Sequence, residues 1–163
     1  MTLQESEHIE DLLTKLRGGI PPVRFVAALK LGKLKDKRAL ETLLGALMED
    51  DDERVKDNII FALGEIGDDR ALIPIIKILE NDSSPRLRKT AAKALGILGS
   101  VKAVPSLIRA LRDPDFRVRK NAARSLGQIG DISAKGPLLN ALKDSSSAVA
   151  VYAEEALKNL KGL

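Results

Sequence analysis

Apolar residues return at steps of three and four along most of this chain. Leu87, Ala91, Ala94, Leu95 and Leu98 fall on one side of a helix, and Val104, Leu107, Ile108 and Leu111 do the same in the following segment. No segment with the two-residue alternation of a half-buried strand competes with this pattern.

The pattern itself recurs. Val23-Arg24, Val55-Lys56, Leu87-Arg88, Val118-Arg119 and Val149-Ala150 succeed one another at 31 or 32 residues. Nine residues after each apolar anchor stand Gly32, Gly64, Gly96, Gly127 and then Lys158, and three later come Gly67, Gly99 and Gly130. Leu16, Leu47, Leu79, Leu111 and Leu142 close the segment before each anchor. The glycines read as helix caps. Gly99 and Gly130 sit where a left-handed C-terminal turn belongs, and Asp68 or Asp69 where an N-cap acceptor does. Pro74, Pro105 and Pro137 lie early in the first helix of their units. Pro22, Pro85 and Pro114 open or precede the second.

These signals predict first helices near 5–17, 38–48, 70–80, 101–112 and 133–143, and second helices near 22–33, 53–65, 85–97, 116–128 and 148–160. One such hairpin cannot bury its own apolar face, so the units must stack. The expected fold is all-α: a right-handed α-solenoid of five helix-turn-helix repeats and about ten helices. It would form a single domain over 1–163, with repeats at about 5–34, 37–66, 69–98, 101–129 and 132–163.

The recurring phrase V/L-R/K-x-x-A-A-x-x-L-G-x-I/L-G-D, followed by A-x-x-x-L-L/I-x-A-L-x-D, resembles HEAT repeats over about residues 8–163. More narrowly it is similar to the short HEAT-like repeats of the phycobilisome-lyase type. The resemblance implies an armadillo-like superhelix with first helices outside and second helices lining a concave inner face. It also implies binding to other proteins. The lyase members attach bilin chromophores to antenna proteins.

Composition narrows the picture. The apolar set is aliphatic, with three Phe, one Tyr and no Trp among 163 residues. The absence of Cys excludes disulfides and thiolate metal sites and fits a reducing cytoplasm. The N-terminal MTLQESEHIEDLL has no apolar core of a signal peptide, and no apolar run is long enough to span a bilayer. A cytoplasmic monomer without a membrane partner is expected. A net charge of +4 is too small by itself to imply a polyanion.

Arg24, Lys56, Arg88 and Arg119 form a recurrent basic column. Asp50, Asp82 and Asp113 stand six residues before three of them, and Asp144 stands six before Ala150. They are expected to form a structural ladder, within or between neighbouring units, that lapses at both ends, where Gly18 precedes Arg24 and Ala150 follows Asp144.

Residues that recur in every unit serve stacking, and columns that vary are free for something else. Four varying columns share one side of the second helix. The first reads Phe25, Asp57, Lys89, Lys120, Val151, and the second Val26, Asn58, Thr90, Asn121, Tyr152. The third reads Leu29, Phe61, Lys93, Arg124, Glu155, and the fourth Lys33, Glu65, Ile97, Gln128, Asn159. Phe25, Phe61 and Tyr152 are candidate interface anchors there, or else Phe25 and Phe61 fill gaps between units. Phe116 lies apart, at a helix start. Charge is also segregated. Residues 85–128 hold eleven Lys or Arg against Asp113 and Asp115, a net of +9, so the rest of the chain carries −5. Lys89, Lys93, Lys120 and Arg124 bring part of that charge to the varying face.

No catalytic constellation accompanies these features. His8 is the only histidine, and no P-loop, Ser-His-Asp set or shared-face carboxylate dyad is present. Neither a metal nor a cofactor is expected. The residues point to a non-enzymatic scaffold that holds a protein partner on the second-helix face through Phe25, Leu29, Asp57, Phe61, Lys89, Lys93, Lys120, Arg124 and Tyr152. Nucleic acid or another polyanion on the basic third and fourth repeats is the alternative. A bilin lyase or lyase accessory subunit is a third reading, implied by the resemblance alone.

Overall fold

The computed structural model describes residues 3–160. Ten α-helices run through them as five antiparallel pairs, and no strand occurs among the described residues. The pairs are α1 (Leu3–Gly18) with α2 (Pro21–Leu34), α3 (Leu40–Glu49) with α4 (Glu53–Ile66), and α5 (Leu72–Asn81) with α6 (Pro85–Leu98). They continue with α7 (Val104–Ala110) and α8 (Phe116–Ile129), then α9 (Lys135–Ala141) and α10 (Ser147–Asn159). The expected last repeat reaches 163, and its residues 161–163 lie outside the described residues.

Local chemistry sets the boundaries. Gly67, Gly99 and Gly130 end α4, α6 and α8 at φ of 69°, 72° and 74°, a left-handed turn that needs no Cβ clearance. Lys35 makes the same turn after α2 at φ 52°, a strained choice for a residue with a side chain. The first helices of the later units differ from the continuous segments expected. Each begins with a 3-10 turn, at Lys37–Ala39, Asp69–Ala71, Val101–Ala103 and Ile132–Ala134. Three of these turns are capped by Asp36, Asp68 and Asp131 side chains. Pro74, Pro105 and Pro137 then fall within the first three helical residues, where an amide has no helical partner to lose. α7 and α9 also stop earlier than expected. The amides of Arg112 and Asp113 bond three residues back, to Arg109 and Ala110, which tightens the last turn out of α geometry.

Stacking produces a continuous core of Leu, Ile, Val and Ala from Ile9 to Leu160. The second helices pack along one another, whereas the first helices meet only sparsely. A stack whose two layers differ in spacing curves toward the tighter one, so the second helices line the concave side. The residues that set that spacing are Gly32, Gly64, Gly96 and Gly127, and the expectation that the glycines are caps is wrong for this column. They lie inside α2, α4, α6 and α8. A methyl on Gly64 would stand 2.9 Å from the Cα of Ala94 in the next second helix, and one on Gly127 would stand 2.6 Å from the Cα of Ala156. Small residues face each other here because two backbones come together. Ser125 takes the Ala position opposite Gly96, and its hydroxyl donates to the Ala92 carbonyl at 2.8 Å.

Candidate partner-binding face of the second helices

The charged ladder occupies the turn before each second helix and joins consecutive units. Arg24 donates from Nε and Nη2 to both carboxylate oxygens of Asp50, at 2.6 and 2.9 Å, and from Nη1 to the Gly19 carbonyl at 2.8 Å. Arg88 holds Asp113 in the same way at 2.8 and 3.0 Å, and Arg119 holds Asp144 at 2.8 and 3.0 Å. Their remaining Nη1 groups donate to the Asp82 and Asp113 carbonyls of their own units. Each Asp has a second task. The same Oδ1 that meets the arginine accepts an amide two residues on, from Asp52, Asp115 or Ser146. Burial raises the Asp50 carboxyl, but Arg24 and the Asp52 amide outweigh it and hold the group below the usual carboxylate range. Arg119 likewise lowers Asp144.

Of the two registers left open, the structure takes the one between units, and carboxylate pairing of Asp50 with Lys56, Asp82 with Arg88 or Asp113 with Arg119 does not occur among the described residues. The cation of one unit reaches the acid of the next, and within a unit it takes only a backbone carbonyl. The expectation that the ladder lapses at both ends is wrong, because Arg24 pairs with Asp50 and Asp144 with Arg119 as complete rungs. Gly18 suffices before Arg24, since that site supplies only a main-chain oxygen, from Gly19. The gap is central, where Lys56 and Asp82 form no ion pair among the described residues. Asp82 still turns the chain by accepting the Ser84 amide at 2.8 Å. An ammonium lacks the planar fork that grips a carboxylate and a carbonyl together.

On the solvent side of the second helices, the varying columns separate into two kinds. The one holding Asn58 and Thr90 belongs partly to the stack: Asn58 donates to the Phe25 carbonyl at 3.1 Å, and Thr90 is buried. The others stay open and change character along the array. Phe25 and Leu29 on α2 are half-buried, and Phe25 packs on the core. Phe61 on α4 is also half-buried, with the Lys93 ammonium 4.4 Å from its ring centre. Tyr152 on α10 is approached by Lys120 and Arg124, each 5.9 Å from its ring. The Phe61 and Tyr152 rings are therefore not bare anchors; cations from the neighbouring units approach them. Tyr152, Arg124, Gln128 and Glu155 share a pocket of about 290 Å³. Asp57 is tied to Arg86 at 2.9 Å, a pairing that sequence reasoning missed although their columns adjoin in successive units. Phe116 is 47% exposed at the start of α8.

The structure also sorts the eleven cations of the basic segment. Arg86, Arg88, Arg109, Arg117 and Arg119 pair with Asp57, Asp113, Glu80, Asp115 and Asp144. Lys89, Lys93, Lys102, Arg112, Lys120 and Arg124 have no ion-pair partner among the described residues. Four of those six share the open face of α6 and α8: Lys89 and Lys120 half-buried, Lys93 and Arg124 exposed. A larger groove of about 610 Å³ lies between α1 and α3, but its arginines are engaged, Arg24 by Asp50 and Arg17 by the Thr42 hydroxyl. Among the described residues no group of three or more acidic or His side chains could hold a metal ion, and no helix is long and apolar enough to cross a membrane.

The family profile of HEAT repeats matches residues 9–79 and 74–158. Among solved structures, the chain is similar to one in the complex of CpcE and CpcF of phycocyanin lyase from Nostoc sp. PCC7120. The TM-score is 0.84 and the identity 26%, over 94% of this chain and 65% of that one. This chain thus spans less than two thirds of that relative's length. An engineered protein matches at TM-score 0.69 and 22% identity, over 93% of this chain and 78% of the other. A designed armadillo repeat protein in complex with the peptide (KR)4 matches at TM-score 0.69 and 19% identity, over 96% and 83%. The last two likenesses concern the fold alone. A search of curated proteins gave no match.

Proposed function

The chain belongs to the HEAT-repeat family, and from that premise we propose that it is a non-enzymatic scaffold that seats a protein partner on the open face of its second helices. The observation that carries this reading is the sorting of charge. Five cations of the basic segment are paired with acids of the array, while Lys89, Lys93, Lys120 and Arg124 have no ion-pair partner among the described residues and stand together on a face that stacking does not use. Phe25, Leu29 and Phe61 supply apolar surface beside them. Affinity capture with the wild type and with Phe61→Ala/Lys93→Glu tests the reading: the variant should lose partners that the wild type retains, and equal capture of every partner by both would refute it.

The likeness to a chain of phycocyanin lyase favours a second reading, a subunit of a bilin-attaching lyase. Its test is an absorbance assay with bilin and apo-antenna protein, in which a covalent adduct formed only when this chain is present would support it.

A further inference from the structure

The open face of α6 and α8 presents cations in a two-by-two arrangement. Lys89 and Lys93 stand one turn apart on α6, and Lys120 and Arg124 one turn apart on α8, with about 6 Å between the members of each pair. Packed helices lie about 8–10 Å apart, so the pairs are separated by roughly that distance across the array. The basic zone is bounded on both sides. On α4 the adjoining residues are Phe61 and the Arg86-bound Asp57, and on α10 they include Glu155.

We propose that the partner segment on this face is an acidic stretch of another protein, with one carboxylate between Lys89 and Lys93 and a second between Lys120 and Arg124. An apolar side chain lies one helix earlier, against Phe61. This rests on the scaffold reading and specifies its partner. A polyproline II segment has three residues per turn and advances about 3.1 Å per residue, so acids three residues apart share one side about 9 Å apart and match the helix spacing, with the apolar residue three before or after them. A phosphate chain fits the face less well. It would have to run past Glu155 or Asp57, and the Tyr152 ring is approached by Lys120 and Arg124 rather than open to bases. In a second copy of this chain the acidic run 49–53 is committed at three of its five positions: Asp50 is held by Arg24, Asp52 caps α4 and Glu53 accepts from the Ser84 hydroxyl.

The test is fluorescence anisotropy with a labelled peptide carrying Leu, then Glu three and six residues later. Wild type should bind it at low salt. Lys93→Glu/Arg124→Glu should weaken binding about tenfold or more, as should Glu→Gln in the peptide, since charge reversal acts on both Coulomb attraction and hydrogen bonding. Lys102→Glu/Arg112→Glu removes two equally unpaired cations outside this face and should leave affinity unchanged. An equal loss in that control, or no binding by wild type, would overturn the proposal. So would a single-stranded oligonucleotide that bound more tightly through the same four cations. If the captured partners are lost in Phe61→Ala/Lys93→Glu while the peptide fails to bind wild type, the scaffold stands and the acidic segment falls.

Discussion

The two sides of one helix, α6, differ in what their residues are free to be. On one side Ala91, Ala94, Leu95 and Gly96 are buried against the neighbouring units, and their counterparts in α4 and α8 are nearly the same residues. On the other, half-buried Lys89 and exposed Lys93 take the column places that Asp57 and Phe61 hold in the unit before. Stacking requires the same small and apolar residues at every interface, because each second helix approaches the next in the same way. The open side has no such requirement, so it alone can differ from unit to unit. Repetition marks what holds the array together, and departure from it marks where specificity can reside.

The largest effect should come from adding one methyl on the stacking side. Gly64→Ala drives a Cβ into the Ala94 backbone and should lose about 2–3 kcal/mol of stability in urea unfolding, despite the better helix propensity of Ala. The same substitution at Gly45, exposed on α3 with nothing near its Cβ, should instead gain about 0.5–1 kcal/mol. A second break is Arg88→Ala. It strips the bidentate partner from a largely buried Asp113 and should cost about 2 kcal/mol. Lys56→Arg, which supplies the missing fork opposite Asp82, should add up to about 1 kcal/mol.

Acid should act through the same rungs and through the capping acids Asp68 and Asp115. The Asp50 and Asp144 carboxyls titrate lower in the folded chain than in the unfolded one, and Asp68 and Asp115 are held down to about 2 by Arg70 and Arg117. Their contribution is complete above the unfolded carboxyl value of about 4 and fades as pH falls below it toward 2. Urea midpoints measured from pH 6 to pH 2 should therefore decline in the acid range. The slope should be shallower in Arg24→Ala/Arg119→Ala, which has already lost two rungs.

The sequence made the helix pairs legible because one period governs apolar anchors, cap glycines and closing leucines together. It left the ladder register open for a definite reason. In a repeat of 31 or 32 residues, an acid six before one arginine is also 25 or 26 after the previous one. Both pairings recur equally often, and only the path of the side chain decides between them. The stacking glycines were hidden differently. Gly64 and Gly67 look alike in a string, and only the approach of Ala94 separates a contact from a cap. The cation–ring contacts carried a usable signal: Phe61 and Lys93 occupy the same column in successive units, and stacking sets such residues side by side.

The division between a face that stacks and a face that binds is tested most directly in Lys93→Glu/Arg124→Glu, by measuring its unfolding free energy and its affinity for the acidic peptide on the same preparation. Stability should stay within about 1 kcal/mol of wild type, the range of exposed substitutions plus a lost cation–ring contact, with affinity down about tenfold or more. A parallel loss of stability, or affinity left intact, would contradict it.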